Sequence, residues 1–281
     1  MTEGSVVEPI APRAPALPTR FRFHTSGGIT LSGGTVTGDQ GSSAKTFVLV
    51  HGGGHGGWCW QRMASVLRSR GHEVWTPTLT GFGERHHLDH GQVTFDTMVT
   101  DVAAVLEFED LHDAVLVGHS MGGVIVPRVA EVSIERVAGV VFMAAVVLND
   151  GETLLEAVPA TPAVSRAVTI ADDGTAVTDH ALLIDALLPE ASSADRAWVL
   201  ERHLSYPPAA LVEPGRLSQF LELGLPTGYV VATEDLLVPP TLAHAFARRL
   251  PGVSVAEVAA GHDLMLTRAE ESATALERVV R

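Results

Sequence analysis

Short, fully apolar runs alternate along this chain with segments whose apolar residues recur at helical spacing. Residues 46–50, 114–117 and 137–144 form such runs, and each predicts a buried β-strand. Residues 61–70 and 94–108 carry the helical spacing. Because strands that alternate with helices form mainly parallel sheets, the pattern predicts an α/β fold with a twisted sheet covered by helices on both faces.

The alternation stops between residues 147 and 225, where helical segments are broken by prolines and no strand is predicted. It resumes with expected strands at 228–232 and 253–258. We therefore expect a core built from residues 20–146 and 226–281, with a helical cap inserted at 147–225.

The beginning of the chain follows neither pattern. Residues 1–19 contain four prolines and no apolar period, which predicts a flexible N-terminal extension. Further on, Ser26-Gly27-Gly28 separates two apolar runs and indicates a hairpin.

Charge and composition narrow the function. The chain has 281 residues and a formal net charge of −14, which disfavours nucleic acid and anionic membranes as partners. No apolar run is long enough to span a membrane and no secretory leader is recognised, so we expect a cytoplasmic protein that acts on a small molecule. Cys59 is the sole cysteine and cannot form an internal disulfide, which suits a reducing compartment. A single lysine beside abundant Ala, Val and Gly indicates a bacterial source.

The first candidate chemistry lies where the strand at 114–117 turns into a helical run. The turn reads Gly118-His-Ser120-Met121-Gly122. A sharp strand-to-helix turn holds its central residue at strained backbone angles, and small neighbours make room for it. Ser120 is therefore predicted to be a nucleophile, and the amide of Met121 to be one donor of an oxyanion hole. A glycine-rich loop that carries a serine by chance is the alternative.

A second glycine-rich stretch, His51-Gly-Gly-Gly-His55-Gly-Gly, follows the first predicted strand. It has the spacing of a dinucleotide fingerprint, but the acid that this requires, Glu73, precedes the next predicted strand (74–79) instead of ending it. No Gly-Lys-Ser/Thr follows, so a P-loop is excluded too. We expect the loop to supply the second oxyanion donor, the amide of Gly53, with both histidines bracing the loop by hydrogen bonds.

A base and an acid are expected at the carboxyl ends of the two last predicted strands. Asp235 follows the strand at 228–232, and His262 follows the strand at 253–258. Ser120, Asp235 and His262 thus stand in the chain order of a strand–elbow–helix hydrolase. His262 would accept the serine proton, and Asp235 would hold the imidazole in the productive tautomer.

Each assignment has a rival. Glu234 could be the acid, although the run at 236–239 suits a turn held by Asp235. Asp263 adjoins the base and is expected to point elsewhere or into solvent. His119 adjoins the nucleophile and is expected to pack. The histidine-rich loop at 80–90 lacks the spacing of metal ligands, so no metal is expected.

Four motifs together resemble the α/β-hydrolase superfamily, and within it the plant-type methylesterase and hydroxynitrile lyase branch with its bacterial relatives. The resemblance covers residues 46–281 and is weakest across the cap. It implies an α/β-hydrolase fold, a Ser-His-Asp triad, an oxyanion hole of two backbone amides, no cofactor, and small carboxylic esters as substrates. The motifs are His51-Gly-Gly-Gly-His-Gly-Gly-Trp-Cys-Trp60, Gly118-His-Ser-Met-Gly122, Thr233-Glu-Asp235 and Gly261-His262-Asp-Leu-Met265.

The chain departs from the lyase members of that branch at two positions. They carry a threonine after the first loop histidine and a lysine after the catalytic histidine, where this chain has Gly52 and Asp263. The lysine supplies positive charge for a leaving cyanide, which a carboxylate would oppose. The resemblance therefore disfavours cyanohydrin cleavage.

These observations predict a serine hydrolase that cleaves a small to medium carboxylic ester through an acyl-Ser120 intermediate. A cofactor-free lyase, cyclase or other tailoring enzyme that uses His262 as general base is the alternative on the same fold. A ligand receptor built on a hydrolase frame is a third hypothesis. Acyl and alcohol selectivity and the oligomeric state stay open, as does whether Trp198, Phe220 and Leu221 line the pocket or pack the cap.

Overall fold

The computed structural model describes residues 44–88, 93–158, 161–170, 176–205 and 212–280. The predicted N-terminal extension (1–19) and the hairpin expected around residues 26–28 lie outside this part of the chain.

Strands and helices alternate through most of the described chain. The described strands are β1 Thr46–Val50, β2 Glu73–Trp75, β3 Ala114–His119, β4 Val137–Met143, β5 Val168–Ile170, β6 Ala176–Thr178, β7 Thr227–Ala232 and β8 Ser254–Val258. The described α-helices are α1 Gln61–Ser69, α2 Phe95–Phe108, α3 Gly122–Val132, α4 Leu154–Ala157, α5 Pro162–Ala167, α6 His180–Leu187, α7 Ser193–Leu200, α8 Ser218–Glu222, α9 Pro240–Ala247, α10 Leu264–Thr267 and α11 Ala269–Val279.

Six of these strands form one sheet in the order β2-β1-β3-β4-β7-β8. Every neighbouring pair in this sheet is parallel, which confirms the predicted α/β class. In a parallel sheet the carboxyl ends of all strands meet at one edge, and functional groups collect there. The loops that carry Gly53, Ser120, Asp235 and His262 all begin at this edge, since they follow β1, β3, β7 and β8.

Alternate residues of each central strand face opposite sides of the sheet and build two cores. In β1, Val48 and Val50 pack on the side covered by α2 and α3. Phe47 and Leu49 pack on the other side, which α1 and α11 cover. Because both faces are buried, the strands read as continuous apolar runs instead of alternating ones.

The predicted strand at 74–79 is too long, because β2 ends at Trp75. Its pairing with β1 covers three positions, from Glu73 to Trp75. Beyond this point the chain turns toward the glycine-rich loop, where the amide of Leu79 donates to Nε2 of His51 at 3.0 Å. The apolar composition of residues 74–79 thus indicated a buried segment, but it did not show where the strand ends and the loop begins.

The segment between β4 and β7 contains α4 to α8 and also a two-stranded antiparallel ribbon, β5 with β6. The expectation of a strand-free insertion is therefore wrong. The sequence Ala171-Asp-Asp-Gly-Thr175 between the two strands is typical of a turn and was the signal for the ribbon. Phe220 of α8 is buried and packs edge-on against Phe142, so it belongs to the core. The division of the chain into core and cap stays a prediction.

Candidate active site

Ser120 lies at a tight turn between β3 and α3. Its φ of +52° is in the left-handed region, which costs a non-glycine residue roughly 1–2 kcal/mol. A Cβ on Gly118 would lie 2.5 Å from the carbonyl oxygen of Gly122, and a Cβ on Gly122 would lie 2.6 Å from that of Val50. Only glycine fits at either position. The turn leaves Ser120 partly accessible while His119 and Met121 beside it are buried.

Two backbone amides are candidates for the donors of an oxyanion hole. The amide of Met121 precedes the first turn of α3, where helix N–H groups have no partner within the helix and attract negative charge. The glycine-rich loop passes against the elbow, since a Cβ on Gly52 would lie 2.7 Å from Cβ of Ser120. The next amide along this loop is that of Gly53.

His51 fixes the peptide unit that carries the Gly53 amide. Its Nδ1 donates to the carbonyl of Gly52 at 2.7 Å, and its Nε2 accepts from the amide of Leu79. This pair of bonds requires a neutral imidazole with its proton on Nδ1. Burial agrees, because it lowers the pKa of His51 to about 3. Since C=O and N–H of one trans peptide point in opposite directions, holding the Gly52 carbonyl also fixes the direction of the Gly53 amide.

The structure joins Asp235 and His262 in a buried pair. Nδ1 of His262 lies 2.6 Å from Oδ2 of Asp235, and both side chains are almost completely inaccessible to solvent. The other carboxylate oxygen, Oδ1, accepts from the amides of Leu237 and Val238 at 2.8 and 2.9 Å. The acid is therefore held by the turn that follows it, with one oxygen left to orient the imidazole.

Burial and the neighbouring carboxylate act in opposite directions on the pKa of His262. Burial lowers it, but the charge and hydrogen bond of Asp235, together with the charge of Asp263, outweigh burial and raise the pKa above its ordinary value. An imidazole with a raised pKa is a stronger base toward a serine hydroxyl. The pair thus has the electrostatic character that general-base catalysis requires.

His262 also lies next to the elbow. The ring of His119, which precedes Ser120, has its centroid 4.8 Å from that of His262, and its Nε2 donates to the carbonyl oxygen of His262 at 3.1 Å. Among the described residues, no hydrogen bond joins Oγ of Ser120 to His262. In free enzymes such bonds are often long and tighten when substrate binds. The joint action of Ser120, His262, Asp235 and the two amides stays a prediction.

The rivals of these residues are placed differently. Glu234 is exposed, and Asp235 is the acid that contacts the imidazole. His119 is buried, and besides packing it binds the loop of His262. Asp263 does point away from the pair, but the option that it faces solvent is wrong. It is fully buried, and Nε2 of His55 lies 3.0 Å from its Oδ2.

Two contacts around the site were missed by sequence reasoning. The His55–Asp263 pair joins residues 208 positions apart, and no local sequence pattern predicts such a pair. Oε1 of Glu190, in the segment between β4 and β7, accepts from the amide of Gly261 at 3.0 Å and from Oγ1 of Thr267. Gly261, the residue before the proposed base, is thus held by a side chain of the segment between β4 and β7.

The remaining candidates lie away from this site or are exposed. The carboxylate of Glu73 accepts from Thr46 and Trp75 along β2, so it faces no nucleotide-binding loop. His86 and His87 are exposed and donate to carbonyls of their own loop. Within the part of the chain that the structure describes, no group of three or more His, Cys, Asp or Glu side chains is arranged to hold a metal ion. No helix of that part is long and apolar enough to cross a membrane.

Comparisons with known proteins agree with this architecture. The model of the alpha/beta hydrolase family matches residues 47–275. A carbendazim hydrolyzing esterase from Nocardioides sp. (strain SG-4G) is 34% identical over 238 residues, which cover 82% of this chain and 97% of the relative. A putative chloroplastic methylesterase 13 of Arabidopsis thaliana is 33% identical over 121 residues, covering 42% of this chain and 27% of the relative.

A solved structure extends the comparison to three dimensions. It is an extracellular alpha/beta-hydrolase from a Paenibacillus species, described as sharing structural and functional homology with tobacco salicylic acid binding protein 2. The two chains superpose with a TM-score of 0.72 at 25% sequence identity, over 84% of this chain and 98% of the other.

Proposed function

This chain belongs to the α/β-hydrolase family, and we propose from that premise that it hydrolyses small to medium carboxylic esters through an acyl-Ser120 intermediate. The observation that carries the proposal is the buried, hydrogen-bonded His262–Asp235 pair beside a serine held at a strained elbow. The names of the relatives support esters as the substrate class, since they include a carbendazim hydrolyzing esterase and a putative methylesterase.

In the acylation half of the proposed reaction, Oγ of Ser120 attacks the ester carbonyl while Nε2 of His262 takes the hydroxyl proton. Asp235 stabilises the imidazolium that forms. The amides of Gly53 and Met121 donate to the oxyanion of the tetrahedral intermediate. When the intermediate collapses, the bond from carbon to the alcohol oxygen breaks, and His262 passes its proton to the departing alcohol.

Deacylation repeats these steps with water. His262 removes a proton from the water that attacks the acyl carbon, and the bond from this carbon to Oγ of Ser120 breaks. The proton returns to Ser120, and the carboxylic acid leaves. The net reaction is ester plus water to acid plus alcohol, and its steps use only this chain's own residues.

We also propose that residues 147–225 act as a cap over this site. Two hydrogen bonds support it, because the amide of Leu204 donates to the carbonyl of Gly54 at 2.9 Å and Glu190 binds the amide of Gly261. The segment thus contacts both the glycine-rich loop and the loop of the base. A reducing, cytoplasmic setting is part of the same proposal and rests on the single buried Cys59.

A screen of p-nitrophenyl and methyl esters of graded size tests the function. We expect turnover of at least one small ester, and we expect Ser120→Ala to lower kcat roughly 10⁴- to 10⁶-fold because the nucleophile is lost. Ser69→Ala, at an exposed serine, is the matched control and should leave kcat unchanged.

The intermediate is tested by labelling. A fluorophosphonate should modify the wild type and Ser69→Ala but not Ser120→Ala, and mass spectrometry of a slowly turned-over ester should find the acyl group on Ser120. Turnover that survives in Ser120→Ala would contradict covalent catalysis and favour a reaction in which His262 acts as base alone. Saturable binding without any turnover would favour a receptor.

A further inference from the structure

A second histidine–carboxylate pair is buried behind the proposed triad. His55 and Asp263 are 1% and 0% exposed, and Nε2 of His55 lies 3.0 Å from Oδ2 of Asp263. The other ring nitrogen, Nδ1, lies 2.7 Å from the carbonyl oxygen of Gly53. The proposed proton transfers use neither side chain.

The partners of His55 determine where its protons are. A carbonyl oxygen and an ionised carboxylate are both acceptors, so with an ionised Asp263 both bonds form only when each ring nitrogen carries a proton. Burial raises the pKa of Asp263, but the charge and hydrogen bond of His55, together with the charges of His119 and His262, outweigh burial and hold this pKa well below its ordinary range. The two residues therefore form a buried, charge-assisted link.

This link connects two loops that the proposed reaction needs at a fixed separation. His55 belongs to the glycine-rich loop after β1, and Asp263 directly follows His262 after β8. Trp58 stacks on the ring of His55 with centroids 5.3 Å apart, and His203 contacts it edge-on at 5.2 Å. His119 lies 3.7 Å from the second oxygen of Asp263. The imidazole of His55 is thus held on its faces and at both nitrogens.

The peptide units on both sides of Gly53 are held by these contacts. His51 binds the carbonyl of Gly52, in the peptide unit before Gly53, and His55 binds the carbonyl of Gly53, in the peptide unit after it. Glycine has the widest choice of backbone angles, and three glycines in a row would otherwise leave this loop poorly defined. With both neighbouring peptide planes fixed, the two dihedral angles of Gly53 are fixed as well, and so is the direction of its amide.

We propose that His55 and Asp263 are a positioning pair for the ester hydrolysis, which hold the Gly53 amide toward the substrate carbonyl by tying the glycine-rich loop to the loop of His262. The inference rests on the proposed function and adds two residues to it. Neither touches the substrate. Their effect is exerted through the oxyanion that the Gly53 amide stabilises.

The test compares an ester with its thionoester, p-nitrophenyl acetate with p-nitrophenyl thionoacetate. Sulfur accepts hydrogen bonds weakly, so a well-directed oxyanion hole favours the oxygen ester. The pair is removed as a unit in His55→Phe/Asp263→Leu, which keeps the packed volume and leaves no unpaired charge in the interior. Asp263→Asn is the conservative variant, since its amide can donate to Nε2 of a neutral His55 whose Nδ1–H still binds Gly53.

We expect the double variant to lose about 10- to 100-fold in kcat for the oxygen ester with less than about threefold change in KM, a part of the roughly 10²- to 10³-fold that one oxyanion donor supplies. Its preference for ester over thionoester should fall by the same factor. Asp263→Asn should keep the preference within about threefold of the wild type.

A matched control lies at the far end of the sheet. Nε2 of His72 bonds Oε1 of Glu277 at 2.9 Å, and His72 is buried. His72→Phe/Glu277→Leu should lower Tm without changing the ester preference. If the His55–Asp263 double variant keeps the wild-type preference, the pair is only structural, and if Asp263→Asn loses it fully, hydrogen bonding is not the cause. A wild type without ester turnover would instead overturn the proposed function and this inference together.

Discussion

Replacing Asp235 by asparagine isolates the role of the acid from its role in the fold. The carboxylate makes three hydrogen bonds, two from the amides of Leu237 and Val238 to Oδ1 and one from Nδ1 of His262 to Oδ2. The asparagine oxygen can keep both backbone bonds. Its NH₂ group then faces His262, and because an amide nitrogen only donates, Nδ1 must give up its proton. The imidazole is left with its proton on Nε2, the nitrogen that has to accept one from Ser120.

The magnitude follows from this reversal of the tautomer. A wrongly oriented proton in a triad of this kind costs about 10⁴-fold in kcat, or about 5 kcal/mol of transition-state stabilisation. Folding should suffer less, because all three hydrogen bonds are kept, although each becomes a neutral bond instead of a charge-assisted one. Asp235→Ala would leave two amides without acceptors and cost about 1–3 kcal/mol for each that is buried, so it confounds stability with catalysis.

The assay is kcat for the best p-nitrophenyl ester, normalised to fluorophosphonate-titrated sites, with Tm recorded for each variant. Glu234→Gln is the matched control, because the neighbouring carboxylate is exposed, and it should leave kcat within about threefold of the wild type. A folded Asp235→Asn that keeps more than a tenth of the wild-type kcat would refute the reasoning. If Glu234→Gln instead lowered kcat more than Asp235→Asn does, Glu234 would be the acid that orients His262.

Three further predictions concern the pH dependence of activity, the pH dependence of stability, and the elbow. The base must be neutral to accept a proton, and Asp235 raises the pKa of His262. We therefore expect kcat/KM to rise with pH through an inflection above about 6.5, and Asp235→Asn to move this inflection to lower pH. A wild-type pH–rate profile with its inflection at or below about 6.5 would contradict this prediction. For the same reason the stability that protonated His262 contributes is present at low pH and is lost as pH rises through the raised pKa. Gly118→Ala should lower the free energy of unfolding by about 1–3 kcal/mol or more, because its Cβ would lie 2.5 Å from the backbone oxygen of Gly122; Gly139→Ala, where the nearest atom would lie at 3.1 Å, is the milder comparison in thermal denaturation.

Most of the fold could be predicted because its signals are local. The apolar run at 46–50 became β1, and the helical spacing at 94–108 became α2, which begins one residue later behind Thr94, whose Oγ1 accepts from the amide of Thr97. Burial on both faces of the sheet makes the strands uniformly apolar. The same uniformity hid the end of β2, since Leu79 is as buried as a strand residue but binds His51.

The contact between Asp235 and His262 in the candidate site was predictable because chain order carries information. Ser120 is marked by its flanking glycines, and Asp235 and His262 by their positions after β7 and β8. The burial of Asp263 was not predictable from the sequence, because a charged residue in a polar loop is expected to be exposed unless its partner is known. That partner, His55, is set by the packing of two distant loops, and no periodicity encodes it.

The hydrogen bonds that join Glu190 to Gly261 and Leu204 to Gly54 matter for any attempt to replace the segment between β4 and β7. A protein engineer who wished to change the ester preference by transplanting this insert from a relative would also be exchanging supports of the catalytic loops. A successful graft would have to retain a carboxylate at position 190 and a free backbone N–H at position 204. Under the proposed function, exchanging the insert should therefore change the rate as well as the ester preference, and substitutions meant to change the preference alone belong at residues of the insert that contact neither loop.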